Sequence, residues 1–115
     1  MLTSKDLMIG DWYTLRGQPH KCTASDIAFI AECEEKGVST DISEIPITFK
    51  ILEKNGFKKL VTKCIYGDII MKSYSNECWR FCAYAKREDS VVYIHSIHEL
   101  QHALRLCGIE KEIMI

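Results

Sequence analysis

The sequence predicts an α+β fold in which a mainly antiparallel β-sheet, a meander, packs against a C-terminal helix, with a second short helix beside it. Two observations lead to this fold class. Residues 59–94 are rich in β-branched and aromatic side chains interrupted by turn-forming residues, while residues 96–106 repeat apolar side chains at helical spacing. With 115 residues and 47% apolar side chains the chain can form one core, so we expect a single domain over residues 1–115.

Composition limits the classes of protein to consider. Fifteen basic and sixteen acidic residues give a net charge of −1, so the chain as a whole has no attraction to nucleic acid or anionic membranes. No apolar run is long enough to span a bilayer, and the first residues include Lys5 and Asp6 instead of the basic region and apolar stretch of an export signal. We therefore expect a cytoplasmic protein without a membrane partner, whose six cysteines are mostly buried, reduced thiols.

The first elements are short. Ser4 is placed to cap a helical turn over residues 4–8, and Gly10 ends it. Residues 11–15 have the composition of a strand, and residues 16–19 that of a turn.

The next stretch gives a weaker signal. Residues 21–31 are expected to form a second extended segment, although their alanine content leaves a helix open as the alternative. Residues 34–43 are polar and predict a loop.

A short helix is predicted over residues 48–54. Thr48 stands at its cap position, and Ile47 and Leu52 are spaced as a hydrophobic staple. Gly56 supplies a left-handed stop, after which the chain folds back.

The meander is expected to contain four strands, over residues 60–66, 68–74, 78–85 and 91–94. Its turns are expected at Gly67, at Ser75-Asn76 and at residues 88–90. In the third strand, alternation places three residues toward the core, namely Trp79, Phe81 and Ala83. The opposite face then carries Arg80, Cys82 and Tyr84.

The C-terminal helix has the strongest signals in the chain. Ser96 and Glu99 fit a capping box, and Gly108 closes the helix. Its apolar stripe consists of Ile97, Leu100, Ala103, Leu104 and Cys107, and we expect the polar residues His98, Glu99, Gln101, His102 and Arg105 mostly on the other side. The tail, residues 109–115, is apolar enough to pack or to pair as a final strand.

One motif in this helix resembles a catalytic site. His98-Glu99-Leu100-Gln101-His102 has the form His-Glu-x-x-His, in which two histidines bind zinc and the glutamate activates water. His95 is the nearest further ligand. Two features favour an ordinary helix start over a zinc site: Glu99 is needed for the capping box, and His95 lies before the cap, so a third zinc ligand is not identified. A zinc-dependent hydrolase with Glu99 as catalytic base is the alternative.

A possible binding surface is predicted on the sheet. Lysines and tyrosines suggest a basic and aromatic surface of the kind that binds nucleic acid, namely Lys58, Lys59, Lys63, Lys72, Tyr66 and Tyr74. We expect the residues that contact a partner to be Arg80, Tyr84, Tyr66, Tyr74, Gln101 and Arg105.

Three segments, residues 7–12, 45–57 and 93–104, together resemble a family of small uncharacterised proteins of Bacteroidetes genomes and their phages and mobile elements. In that family a histidine precedes a helix that opens on a His-x-Leu-Gln pattern, matched here by His95 and by residues 98–101. The resemblance implies that Leu100 and Gln101, and not the zinc motif, are the shared feature. It implies a setting, phage- or mobile-element-linked, without a mechanism.

The sequence therefore favours a binding or regulatory module without enzymatic activity or cofactor, acting on a protein or nucleic-acid partner. The zinc hydrolase is one alternative. A protein that sequesters a small molecule in a crevice lined by tyrosine and arginine is the other. The oligomeric state is not predicted.

Overall fold

The computed structural model describes residues 2–75, 78–83 and 91–115. Within these residues the chain is α+β, with antiparallel sheets of three and five strands, and the C-terminal helix packs on the sheet. The predicted fold class is confirmed. The chain divides into two compact units, Met1–Ile45 and Pro46–Ile115.

The first unit contains the smaller sheet. Strands β1 (Trp12–Leu15) and β2 (Gln18–Lys21) form a hairpin, and β3 (Ile42–Ser43) pairs with the other edge of β1. Arg16 and Gly17 make the two-residue turn with φ of 51° and 78°, the left-handed pair that suits the twist of a tight hairpin. The core of this unit consists of Leu2, Leu7, Tyr13, Cys22 and Ile30.

The long helix of this unit corrects the sequence analysis. Residues 21–31 were expected to be extended, with a helix as the alternative, and the structure has the alternative, because α1 spans Ala24–Lys36. The Asp26 amide donates to Thr23 Oγ1 over 3.2 Å, and the Thr23 amide donates to the Asp26 carboxylate over 3.0 Å, which is a complete capping box. Among the residues of α1 only Ile30 is fully buried, so the apolar stripe was too thin to reveal the helix. The predicted loop 34–43 is wrong at both ends, because α1 extends to Lys36 and Ile42–Ser43 form β3.

The first helical turn is also shorter than predicted. A 3₁₀ helix spans Ser4–Asp6, and Thr3 rather than Ser4 is its cap. Ser4 instead donates its amide and hydroxyl to the Glu34 carboxylate, over 2.8 and 2.7 Å.

The second unit contains the larger sheet, whose strands follow one another in chain order as an antiparallel meander. Its elements are α2 (Phe49–Lys54), β4 (Lys58–Leu60), β5 (Lys63–Tyr66), β6 (Ile69–Ser75), β7 (Cys78–Cys82), β8 (Val91–Ile94) and α3 (Ile97–Leu106). The single strand predicted over residues 60–66 is a hairpin instead, because the chain turns at Val61 with a φ of 32°. The end of the third predicted strand and the turns at Asn76 and at residues 88–90 lie outside the described residues.

Helix α2 is built as predicted. The Thr48 hydroxyl accepts a hydrogen bond from the Ile51 amide over 3.2 Å. Gly56 has a φ of 89°, and the Phe57 amide then donates to the Leu52 carbonyl over 3.0 Å. These contacts fix the angle at which the chain enters β4.

The inner face of the larger sheet forms the core of the second unit. Trp79, Phe81 and Ala83 are buried on it, as predicted. The Trp79 indole donates to the Ile47 carbonyl over 3.1 Å, and its ring meets Phe49 edge-on at 4.9 Å between centroids.

The C-terminal tail packs without forming a strand among the described residues. Ile113 is buried, and the Asn55 side chain exchanges two 2.7 Å hydrogen bonds with the backbone of Met114. Of the two outcomes predicted for residues 109–115, the structure therefore has packing.

Among the described residues, no helix combines the length and the apolar character needed to cross a membrane.

Candidate functional site

The histidines of the zinc motif lie at the start of α3 with unequal exposure. His98 is only 4% exposed, which corrects the expectation of a solvated position, and Gln101 is buried as well. The reason is that the buried face of α3 is wider than its apolar stripe. The His98 and His102 rings stand 5.7 Å apart between centroids, and His95 precedes the helix cap.

The Glu99 carboxylate is occupied by the helix start. One of its oxygens, Oε1, accepts from the His95 amide over 3.1 Å and from the Ser96 hydroxyl over 2.9 Å. The predicted capping box is therefore altered, because Ser96 donates to Glu99 and its side chain accepts no helix amide. Since the only hydroxyl proton of Ser96 goes to Glu99, its oxygen is left to accept from Nδ1 of His98, 3.0 Å away.

Among the described residues, the zinc motif lacks the arrangement that a zinc hydrolase needs. A general base must aim its carboxylate at metal-bound water, whereas Glu99 holds the helix cap. Within residues 2–75, 78–83 and 91–115, no three His, Cys, Asp or Glu side chains group as metal ligands. Ser96 is 1% exposed and lies between the histidine and the glutamate, so the three are not a nucleophilic triad either.

The buried thiols are not activated nucleophiles. Burial, followed by the charges of Asp26 and Asp11, raises the pKa of Cys22 to about 11. Burial also raises the pKa of Cys64 and of Cys107. These thiols stay protonated at neutral pH. Only Cys22 and Cys64 are fully buried, so the expectation that most cysteines are buried is wrong for the other four.

The outer face of the larger sheet carries a row of cations. In the register of the strands, Lys63 lies opposite Lys72, and Lys72 lies opposite Arg80. Arg80 in turn lies opposite Tyr93. These side chains point to the same face because opposed residues in an antiparallel ladder share a face. We call Lys63, Lys72 and Arg80 the cationic row.

Two tyrosines stand together at one end of the cationic row. The Tyr74 and Tyr93 rings are 5.3 Å apart between centroids and tilted by 59°. Tyr74 is the extra residue of a β-bulge between Ser73 and Ser75, an irregularity that redirects a side chain. Both tyrosines remain accessible, at 67% and 52% exposure. We call them the tyrosine pair.

The row and the pair border one shallow groove. It has a volume of about 240 Å³ and is lined by Lys72, Ser73, Tyr74, Arg80 and Tyr93. Sites that enclose a small molecule usually measure roughly 300–1,000 Å³ and are concave. The groove has the tyrosine and arginine lining expected for a sequestering protein, but it is smaller and lies on an open sheet face.

The structure brings together only part of the predicted binding surface. Arg80 and Tyr74 share the groove. Tyr66 lies on the other face, with its ring 5.2 Å from Phe57 and 5.0 Å from Lys111 Nζ. The remaining three residues are Gln101 and Arg105, on α3, and Tyr84, outside the described residues.

The lysines suggested for this surface also separate. Lys63 and Lys72 belong to the cationic row, and Lys58 shares its face. Lys59 points the other way, with its ammonium 4.6 Å from the Phe49 ring centre. Tyr93 was missed, because only its pairing with Arg80 across the strands identifies it.

Comparison of the chain with protein-family models, with curated proteins and with solved structures finds no match. The resemblance to the Bacteroidetes and phage family therefore stays a prediction.

Proposed function

We propose that this protein is a binding module without enzymatic activity that holds an anionic partner on the outer face of its five-stranded sheet. The observation that carries the proposal is the cationic row, in which Lys63, Lys72 and Arg80 stand directly opposite one another on three adjacent strands. An anion placed along the row contacts all three.

The energetics of the sheet favour this reading over a purely structural one. Like charges directly opposed across a ladder destabilise a sheet, typically by a few tenths of a kcal/mol for each pair. A row of three therefore costs stability in the isolated protein. A bound anion would reverse the sign of that contribution, because each cation then gains an opposite charge.

The charge of this face differs from that of the whole chain. The net charge of the chain is −1, yet among the described residues of the five strands the outer face carries no carboxylate. The outer-face residues are Lys58, Leu60, Lys63, Ile65, Ile70, Lys72, Tyr74, Ser75, Cys78, Arg80, Cys82, Val91 and Tyr93. A surface of one sign with exposed aromatic rings is typical of contacts with anionic polymers.

The proposal is tested with inorganic polyphosphate, a polyanion without bases. We expect calorimetric titration to detect binding at low salt that weakens as salt is added. The double variant Lys72→Glu/Arg80→Glu should abolish it. A matched double variant, Lys5→Glu/Lys50→Glu, makes the same charge change at exposed positions that belong to none of the five strands and should bind as the wild type does.

Equal loss of binding in the two double variants would contradict the proposal, since net charge alone would then explain the affinity. Absence of wild-type binding at low salt would also contradict it.

A further inference from the structure

We infer that the anionic partner is a single-stranded nucleic acid, which lies across the strands with its phosphates along the cationic row and a base against the tyrosine pair. This inference rests on the proposed function and adds the chemical class of the ligand.

The tyrosine pair is the reason to specify nucleic acid. A polyanion without rings would satisfy Lys63, Lys72 and Arg80 and leave two exposed aromatic side chains unused. Nucleobases stack on aromatic rings, and every base has a face for this contact. The bulge at Tyr74 turns its ring onto Tyr93 above the end of the row, where a base next to a bound phosphate would lie.

The dimensions of the site fit a short stretch of one strand. Neighbouring β-strands are about 4.8 Å apart, so the distance from Lys63 to Tyr93, across three such spacings, is roughly 14 Å. At about 3.4 Å for each stacked nucleotide, this corresponds to roughly four nucleotides, and fewer if the strand is extended. The groove of about 240 Å³ then holds one nucleotide of the strand and does not enclose a whole ligand.

A duplex does not fit the same contacts. Its bases are paired and stacked on one another, so they are not available to Tyr74 and Tyr93. Only the phosphates of a duplex would contact the cations. The inference therefore predicts that single-stranded nucleic acid binds more tightly than double-stranded nucleic acid.

The test measures fluorescence anisotropy of an end-labelled oligothymidylate with the full chain. An abasic strand with the same number of phosphates and the corresponding duplex serve as comparisons. We expect the intact strand to bind roughly 5- to 150-fold more tightly than the abasic strand, the range that one stacked base contributes. Tyr74→Ala should remove this difference, Tyr74→Phe should keep it, and neither should change binding of the abasic strand.

The salt dependence gives a second readout. Three phosphate contacts on a single strand predict a slope of log affinity against log salt of about −2, and Lys72→Ala should reduce its magnitude by about 0.7. Tyr74→Ala should leave the slope unchanged, because the ring contacts no phosphate.

Equal wild-type binding of the intact and abasic strands, or tighter binding of the duplex, would overturn the inference and leave the proposed function standing. This comparison requires no variant, so it holds even if Tyr74→Ala fails to fold. Absence of binding to polyphosphate and to both strands would overturn the inference and the proposed function together.

Discussion

The two faces of the five-stranded sheet are built from the same strands but have opposite chemistry. On the inner face Met71, Trp79, Phe81 and Ile94 are each less than 5% exposed. The outer face carries the cationic row and the tyrosine pair. Because side chains alternate along a strand, every inner residue is flanked by outer ones, and neighbouring positions can serve different purposes.

This difference separates stability from binding. Burial of apolar side chains on the inner face supplies the free energy of folding, roughly 25 cal/mol for each Å² removed from water. Charged and aromatic residues on the outer face add little to that energy, and the opposed cations reduce it slightly. Substitutions on the two faces should therefore have clearly different consequences.

The largest difference is expected in thiol reactivity. Cys64 on the inner face is 0% exposed, and burial raises the pKa of its thiol, so it reacts only when the protein opens. For an ordinary stability of about 5 kcal/mol or more, opening slows the reaction by a factor of more than about 10³. Cys78 on the outer face is partly exposed. Iodoacetamide labelling followed by peptide mass spectrometry should find Cys78 modified long before Cys64.

Equal labelling rates in the native protein would contradict the assignment of the two faces. Labelling in denaturant is the control, since both thiols should then react at similar rates.

The next largest difference is expected in the free energy of unfolding. Phe81 is 2% exposed on the inner face, and Phe81→Ala should cost about 3–5 kcal/mol through lost burial and the cavity left behind. Tyr93→Ala on the next strand, at 52% exposure, should cost less than about 1 kcal/mol. Urea unfolding monitored by tryptophan fluorescence measures both. Similar costs would contradict the separation of stability from binding.

The sequence was informative where local signals decide structure. The alternation of β7, the Thr48 cap and the helix starting after Ser96 were all readable, because each depends on residues close together in the chain. Helix α1 was predicted only as the alternative to an extended segment, because among its residues only Ile30 is fully buried and the apolar stripe is thin. The capping box of Thr23 and Asp26 is the local signal that marks its start. The split of one predicted strand at Val61 had no glycine or proline to signal it.

The candidate site was harder to predict, because it depends on register between strands. Lys63, Lys72 and Arg80 were each noticed in the sequence, but their alignment is set by two separate strand pairings. Tyr93 lies in the run Val-Val-Tyr-Ile, which has no polar alternation to show which residues face outward. The zinc motif is visible in the sequence because it is local, whereas in the structure Glu99 accepts hydrogen bonds from His95 and Ser96 at the start of the helix.

A smaller loss of stability is expected from a single inner-face hydrogen bond. Trp79→Phe removes the indole donor of the 3.1 Å bond to the buried Ile47 carbonyl. Leaving that carbonyl unpaired should cost about 1–3 kcal/mol, with a further contribution from the smaller ring. Tyr93→Phe is the matched outer-face change and should leave the free energy of unfolding within about 0.5 kcal/mol of wild type. Thermal melting of the two variants measures this difference in stability. Equal shifts of the melting temperature would contradict the expectation that only the inner-face change is costly.

The smallest effect is also the only one of opposite sign. Lys72 lies between Lys63 and Arg80 in the cationic row, so Lys72→Gln removes two repulsive pairs while keeping a side chain of similar length. We expect the free energy of unfolding to rise by a few tenths of a kcal/mol at low salt. The gain should vanish near 1 M salt, where charges are screened within about 3 Å. Lys50→Gln, at an exposed position on α2, should show no such gain. Chemical unfolding in urea, which is uncharged, measures both variants at each salt concentration. A loss of stability in Lys72→Gln at low salt would mean that the cations do not repel one another, and would remove the physical reason for expecting an anion along the row.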